Sequence, residues 1–135
     1  RDRLRSRGLG DVYKRQLHKA LEAVSDKLIL PVPAQNSTPS WFGFLITCKE
    51  GTSKNTVVQY CEDHGVQTRM LFAGNITKQP VFDEMRKSGK GYRVIGDLSV
   101  TDSIMNNTFW IGVYPGMTDE MIDYMAKTII EAVNL

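Results

Sequence analysis

Three short apolar segments rich in aromatic and β-branched residues alternate with segments of helical periodicity, and this alternation constrains the fold most strongly. The strand-like segments are residues 41–48, 66–72 and 108–114. Around them, apolar residues recur at spacings of three and four, as they do on one face of a helix. The order is helix, strand, helix, strand, loop with short helices, strand, helix. It predicts an α+β domain in which a three-stranded sheet has its helices packed on one side.

The ends of the longer helices are indicated by capping residues and prolines. A first helix is predicted over residues 17–28, before Pro31. Ser53 and Thr118 are expected to be the N-caps of the second and last helices, and Asp97 is expected to cap a short helix between them. A further short helix is predicted over residues 81–87. The apolar stripe of the last helix comprises Met121, Ile122, Met125, Ile129 and Val133.

Composition places the chain among soluble single-domain proteins. It has 135 residues, of which 41% are hydrophobic and 24% charged. No apolar run approaches the roughly 20 residues that cross a bilayer, so we expect no membrane association. Cys48 and Cys61 do not make a disulfide framework, and a reducing, cytoplasmic setting is expected.

The first 16 residues differ in character from the rest. They hold six of the 17 basic residues and two of the 15 acidic ones, so residues 17–135 carry a net charge of −2. A basic nucleic-acid surface is therefore not expected on the body of the protein. The segment GDVYKRQ resembles a translated sequencing-adapter remnant. We predict that residues 1–16 are a non-native or disordered tail, that residues 17–135 form the domain, and that the natural protein extends further upstream.

The polar stretch 69–80 directly follows a predicted strand, where binding residues are often found. It combines a guanidinium, amides, a hydroxyl and an ammonium group, and it contains Gly74 and Pro80, which favour a loop. A solvated turn is the alternative interpretation. With the aromatic start of the first strand, this stretch offers flat apolar surface beside hydrogen-bond donors, which suits a sugar or a heteroaromatic ring with phosphates. The candidate substrate-binding residues are Trp41, Phe42, Arg69, Phe72, Asn75, Thr77, Lys78 and Gln79.

No catalytic or metal constellation is predicted from the remaining residues. His18 is expected on a helix surface and His64 at a helix end. Cys61 and His64 lie three residues apart, as two zinc ligands would, but no second pair accompanies them. Cys61 is therefore interpreted as a core residue, and Phe44 and Trp110 are interpreted in the same way.

Three segments carry a resemblance to a known family: PSWFGFLITC, GVQTRMLFAGNITKQPVF and YRVIGDLSVTDSIMNNTFWIGVYPGMT. With the final helix, they resemble the C-terminal small domain of the sugar-nucleotide enzymes of the DegT/DnrJ/EryC1/StrS family, which have the aspartate-aminotransferase fold. The resemblance covers nearly all of residues 17–135. Within the family it is closest to the 3-dehydrases that act on CDP-4-keto-6-deoxy-D-glucose in lipopolysaccharide biosynthesis.

The resemblance implies pyridoxamine 5′-phosphate and a [2Fe–2S] cluster as cofactors of the full-length enzyme, which removes the C3 hydroxyl of the sugar. It also implies a homodimer and a flavin and iron–sulfur reductase that uses NADH. The residues that hold both cofactors are expected in an upstream large domain. His18, His64, Cys48 and Cys61 therefore receive none of these roles, and the chain alone is expected to be inactive and to hold no cluster.

The resemblance also implies a role for the candidate residues, at the edge of the small domain that closes over the sugar nucleotide. Arg69 and the loop from Asn75 to Gln79 are expected to contact the substrate or its diphosphate, and Phe42 or Phe72 to line the sugar pocket. Three alternatives remain open: a sugar-nucleotide aminotransferase of the same fold, a ferredoxin-like nucleic-acid-binding module and a stand-alone regulatory domain.

Overall fold

The computed structural model describes the backbone of residues 2–37, 39 and 41–135, with side chains from residue 12 onward within these ranges. In this part of the chain there are five α-helices: α1 (Asp2–Leu21), α2 (Lys54–Asp63), α3 (Asp83–Ser88), α4 (Ser99–Asn107) and α5 (Asp119–Ala132). There are four strands: β1 (Leu28–Ile29), β2 (Phe44–Cys48), β3 (Thr68–Met70) and β4 (Thr108–Ile111). Short 3-10 turns cover Glu22–Val24, Ile76–Lys78 and Pro80–Phe82.

The strands form one antiparallel sheet in the order β1-β2-β4-β3. The two central strands pair with Phe44 opposite Ile111 and Leu45 opposite Trp110. On the other side of β4, Arg69 lies opposite Trp110. Leu45, Trp110 and Arg69 thus form one row across three strands and share a face of the sheet, because directly opposed residues point the same way.

The opposite face of the sheet packs against a layer formed by α1, α2 and α5. Phe44 and Ile46 of β2 and Phe109 and Ile111 of β4 have no exposed surface. These four side chains join one core cluster with the buried faces of the three helices, which contribute Leu17, Leu21, Val57, Cys61, Ile122, Ala126, Ile129 and Ala132. The predicted α+β class, with helices on one side of the sheet, is confirmed.

Two of the three predicted helix caps, Ser53 and Thr118, are the N-caps of α2 and α5, whereas the N-cap of α4 is Leu98 and Asp97 lies just before it. Ser53 accepts a hydrogen bond from the Thr56 amide at 3.3 Å, and Thr118 accepts one from the Met121 amide at 3.3 Å. Asp97 Oδ1 accepts from the backbone amide of Ser99 at 3.0 Å, at the start of α4. These side chains satisfy amides that have no partner within the first turn of a helix.

Several predicted boundaries are wrong. The sheet has a fourth strand, β1, because Leu28 leaves the helix and pairs with Cys48. The strand predicted over 66–72 is only three residues long, since the chain turns at Phe72, whose φ is 46°. Met121 is not part of the buried stripe of α5, and 42% of its surface is exposed.

The N-terminal segment also differs from expectation, because α1 begins at Asp2 and includes residues predicted to be a disordered tail. Lys14 is 5% exposed and its ammonium donates to the carbonyl of Trp41. Gln16 Nε2 donates to Asp119 Oδ1 at 3.1 Å. Whether residues 1–16 belong to the natural protein stays a prediction. Among the described residues, no helix has the length and apolarity that a membrane crossing needs.

Candidate functional site

The sheet face that points away from α1, α2 and α5 carries the central part of the candidate site. We call it the open face, and it comprises Phe42, Leu45, Arg69 and Trp110. Its orientation follows from strand alternation, since Phe109 and Ile111, on either side of Trp110, point into the core. Trp110 was interpreted as core, but it lies half-buried on this opposite face.

Trp110 is fixed by close contact with the start of β2. Its ring centroid lies 5.2 Å from that of Phe42, with the two rings tilted by 59°. A Cβ atom at Gly43 would lie 2.3 Å from the Trp110 ring, so the ring occupies space that only glycine leaves open. Phe42 itself is 82% exposed. The result is a compact aromatic pair at the edge of the open face.

The Arg69 guanidinium is oriented by its own strand. Nη1 donates to the carbonyl of Thr68 at 3.0 Å. With the Gln67 amide turned so that its oxygen faces the guanidinium, that oxygen accepts from Nη1 at 3.1 Å and from Nη2 at 2.8 Å. The strand is in turn attached to α2, because Glu62 Oε1 accepts from the backbone amide and the hydroxyl of Thr68, both at 2.6 Å. These two bonds lower the pKa of Glu62.

The 71–80 loop is organised around a buried amide. Asn75 is 2% exposed, and its Oδ1 accepts from the backbone amide of Thr77 at 3.1 Å and from its hydroxyl at 2.7 Å. Its Nδ2 donates to Asp102 Oδ1, in α4, at 2.7 Å. Lys78 Nζ donates to the other Asp102 oxygen at 2.8 Å. The hydrogen bonds from Lys78 and Asn75 lower the pKa of Asp102.

Further bonds close the same loop on itself. Gln79 Nε2 donates to the carbonyl of Ala73 at 2.7 Å. Arg86, in α3, donates to the carbonyls of Thr77 and Gln79, the latter at 3.0 Å. The amide and hydroxyl groups that were expected to bind a ligand are therefore engaged within the protein. Their immediate effect is to hold the loop in one conformation against α3 and α4.

The structure does not gather all of the predicted binding residues in one place. Trp41 lies on the α1 side, in a groove of about 530 Å³ that Lys14, His18 and Pro33 also line. Phe42 and Arg69 belong to the open face. Phe72, at the start of the 71–80 loop, is 81% exposed. Trp110 was not among the candidate residues, although alternation with Phe109 and Ile111 could have placed it on the face away from the core.

Cys61 and His64 lie where the sequence predicted them, in the core and at the end of a helix. His64 ends α2 and stacks on Tyr60 with ring centroids 3.9 Å apart. His18 Nδ1 lies 3.4 Å from a carboxylate oxygen of Glu22. Cys61 is completely buried in the core. Across the described ranges, no three His, Cys, Asp or Glu side chains are grouped as metal ligands.

The residues of this chain do not fit the implied cofactors as a complete site. A [2Fe–2S] cluster needs four ligands, usually cysteine thiolates. The chain has two cysteines, both buried, and burial raises the pKa of each thiol to about 11. Pyridoxamine phosphate needs a carboxylate for its ring nitrogen. In the 71–80 loop and α4, the Asp102 carboxylate is already held by Asn75 and Lys78.

Comparison with known proteins identifies the family. The profile of the DegT/DnrJ/EryC1/StrS aminotransferase family matches residues 5–130. The chain is 44% identical over 117 residues to the lipopolysaccharide biosynthesis protein RfbH of Salmonella typhimurium, covering 85% of this chain and 26% of that protein. It is 42% identical over 128 residues to the dTDP-4-dehydro-2,6-dideoxy-D-glucose 3-dehydratase of Saccharopolyspora spinosa, covering 92% of this chain and 27% of the relative. The chain thus spans about a quarter of the length of these relatives.

The fold agrees with this assignment. The structure superposes on E. coli GDP-4-keto-6-deoxy-D-mannose-3-dehydratase, solved with hydrated PLP bound, with a TM-score of 0.67. That match covers 95% of this chain and 33% of the dehydratase, at 18% identity. The small α+β domain expected of the aminotransferase fold is therefore confirmed, and the chain belongs to the DegT/DnrJ/EryC1/StrS aminotransferase family.

Proposed function

We propose that this chain is the C-terminal small domain of a longer pyridoxamine phosphate-dependent 3-dehydrase that acts on CDP-4-keto-6-deoxy-D-glucose. The enzyme removes the C3 hydroxyl of the sugar and so supplies 3,6-dideoxyhexoses for lipopolysaccharide. Two relatives above 40% identity support this, one named for lipopolysaccharide biosynthesis and one for 3-dehydration of a nucleotide-linked sugar. The CDP group is inferred from the motifs PSWFGFLITC and GVQTRMLFAGNITKQPVF.

The open face is the observation that carries the proposal. Arg69 and Trp110 are opposed in the register of β3 and β4, so they share this face, and the exposed Phe42 contacts Trp110 there. A guanidinium offers paired donors to a diphosphate, and aromatic rings cover apolar faces of a sugar or base. In this role Arg69 binds the diphosphate, and Phe72 lines the sugar pocket. The loop that carries Phe72 is shaped by Asn75, Thr77, Lys78 and Gln79. In this proposal Trp41 does not contact the substrate.

The rest of the assembly follows from the same proposal. The full-length enzyme is a cytoplasmic homodimer that receives electrons from a flavin and iron–sulfur reductase using NADH. Its catalytic groups and cluster ligands lie in the remaining three quarters of the protein. The 135-residue chain alone is therefore inactive, and chemical analysis of the purified chain should find neither iron nor sulfide.

The full-length gene, recovered by sequencing upstream of residue 17, provides the test. We expect the purified enzyme to consume NADH and remove the C3 hydroxyl when it is given the CDP-linked 4-keto sugar and the reductase. Transfer of an amino group from glutamate to the 4-keto sugar would instead show a sugar-nucleotide aminotransferase. Substituting Arg69→Ala should raise KM severalfold with kcat nearly unchanged, because the guanidinium binds a part of the substrate that does not react. The exposed Arg93→Ala is the control.

A further inference from the structure

Trp110 has close neighbours on the open face. The backbone at Gly43 approaches its ring so closely that a methyl group would overlap the ring at 2.3 Å. The Phe42 ring lies beside it, at a centroid distance of 5.2 Å and tilted by 59°. The Trp110 side chain points away from the core, on the half-covered side of the sheet. A fixed, partly exposed aromatic pair of this kind is suited to stacking on another flat ring.

We propose that Trp110 and Phe42 form the stacking surface for the base of the bound nucleoside diphosphate, with Arg69 binding the adjoining phosphates. The proposal rests on the function proposed above and deepens it, because it assigns the base to the open face and the sugar to the Phe72 side. It also gives Trp110 a binding role. Nucleobases stack on aromatic side chains in many binding sites, and every base can do so because every base has a flat π-face.

The position of Arg69 determines which kind of flat ligand fits. Its Cα is the register partner of Trp110 in the adjacent strand, so its side chain emerges next to the aromatic pair. Of the five N–H donors of the guanidinium, three donate to the Thr68 carbonyl and the Gln67 amide oxygen. The other two donors have no partner among the described residues, and the Arg69 side chain is exposed. A nucleoside diphosphate fits both the aromatic pair and the guanidinium. Its base is a flat ring, and its phosphates are anions joined to the base through the ribose.

The two tryptophans make the proposal measurable on the 135-residue chain. Trp41 lies in the separate groove beside α1. In a Trp41→Phe variant, the remaining tryptophan fluorescence therefore reports on Trp110 alone. We expect saturable quenching on titration with CDP, weaker binding of cytidine and no comparable quenching by inorganic diphosphate.

Exposed positions allow matched substitutions in the Trp41→Phe background. Phe42→Ala should weaken CDP binding about fivefold or more, as expected for the loss of a stacking ring. Arg69→Gln should weaken binding of CDP and leave that of cytidine unchanged. The controls are Tyr114→Ala, which removes a 53%-exposed aromatic ring, and Arg93→Gln, which removes an exposed charge elsewhere. Both should bind CDP within twofold of the parent, and thermal unfolding should show that every variant is folded.

Three results would overturn the assignment. One is the absence of saturable quenching at millimolar CDP, and another is equal quenching by CDP and inorganic diphosphate, which would indicate an anion site alone. The third is CDP binding by calorimetry that Phe42→Ala leaves unchanged, in which case the base binds elsewhere and the proposed function is unaffected. Conversely, stacking of CDP on Trp110 together with no 3-dehydration by the full-length enzyme would reject the proposed function and retain the base site.

Discussion

The amide nitrogen of Asn75 lies 2.7 Å from Oδ1 of Asp102 and thereby joins the 71–80 loop to α4. The same Asn75 side chain also accepts two hydrogen bonds from Thr77, so one buried residue holds the loop in shape and attaches it to a helix. The substrate contact predicted for Asn75 from the sequence stays a prediction. Because its side chain is engaged within the protein, we propose that Asn75 acts on a ligand through the conformation of the loop that carries Phe72.

Substituting Asn75→Ala should lower the free energy of unfolding by about 1–3 kcal/mol, because it removes the acceptor of the Thr77 amide and the donor to Asp102 Oδ1. Urea denaturation followed by circular dichroism measures this change. Asn107→Ala is the matched control, since its amide makes only a long contact of 3.5 Å to Ser103, and it should cost less than about 0.5 kcal/mol. Equal losses in the two variants would show that the Asn75 bonds do not stabilise the loop.

Glu62 should make the stability of the protein depend on pH in the acid range. Hydrogen bonds from the Thr68 hydroxyl and backbone amide hold its pKa below the ordinary value of 4.5. A lowered carboxyl pKa stabilises the folded state above the unfolded value, and this contribution disappears as the pH falls through the folded value. The free energy of unfolding should therefore decrease as the pH drops below 4.5. Glu62→Gln should be less stable than the parent at pH 7 and should show a shallower decrease in acid, whereas the exposed Glu50→Gln should follow the parent at every pH.

Gly43→Ala should displace Trp110, because the added methyl group would lie 2.3 Å from its ring. Overpacking of this kind costs about 1–3 kcal/mol. The tryptophan emission maximum of the Trp41→Phe background should shift at the same time. Gly112 has no neighbour within 4 Å of an added Cβ and no positive φ, so Gly112→Ala should change stability by about 1 kcal/mol or less. A Gly43→Ala protein with unchanged stability and emission would show that Trp110 adjusts freely.

Truncation can distinguish whether residues 1–16 are a tail outside the fold or part of the folded helix α1. A chain that begins at residue 12 retains Lys14 and Gln16, which contact Trp41 and Asp119, and it is the reference for the next truncation. A chain that begins at residue 17 loses both contacts and should be less stable by about 1–3 kcal/mol. Equal stability of all three chains, measured by urea denaturation, would favour a tail that lies outside the fold.

Features that depend on neighbouring residues could be predicted from the sequence. Ser53 and Thr118 were identified as caps because a cap bonds to an amide only three positions further along. The apolar character of β2 and β4 was evident for a similar reason, since alternation and β-branched residues are local signals. The packing of the helices on one face of the sheet was predicted from the order of helices and strands along the chain.

The errors arise where a distant partner decides the structure. Leu28 continues a helical spacing, yet it pairs with Cys48 in a strand, and sequence spacing contains no information on that partner. The polar side chains of the 71–80 loop were expected to be available for a ligand, but Asn75 and Lys78 both bond to Asp102, more than 20 residues away. A polar residue in a loop has the same appearance in the sequence whether it faces a ligand or another part of the protein.

The order of strands in the sheet has a consequence for how the chain folds. The central pair joins β2 to β4, with Thr47 hydrogen-bonded to Thr108 across 61 residues, and α1 packs against α5. Lys27 even donates to the carbonyl of Val133, 106 positions later. Most of the loop-closure entropy must therefore be lost before the core is complete, which slows folding relative to a helical bundle of the same size. During synthesis the domain cannot close until α5 has left the ribosome, and until then the apolar faces of β2 and α2 stay exposed to water and prone to aggregation.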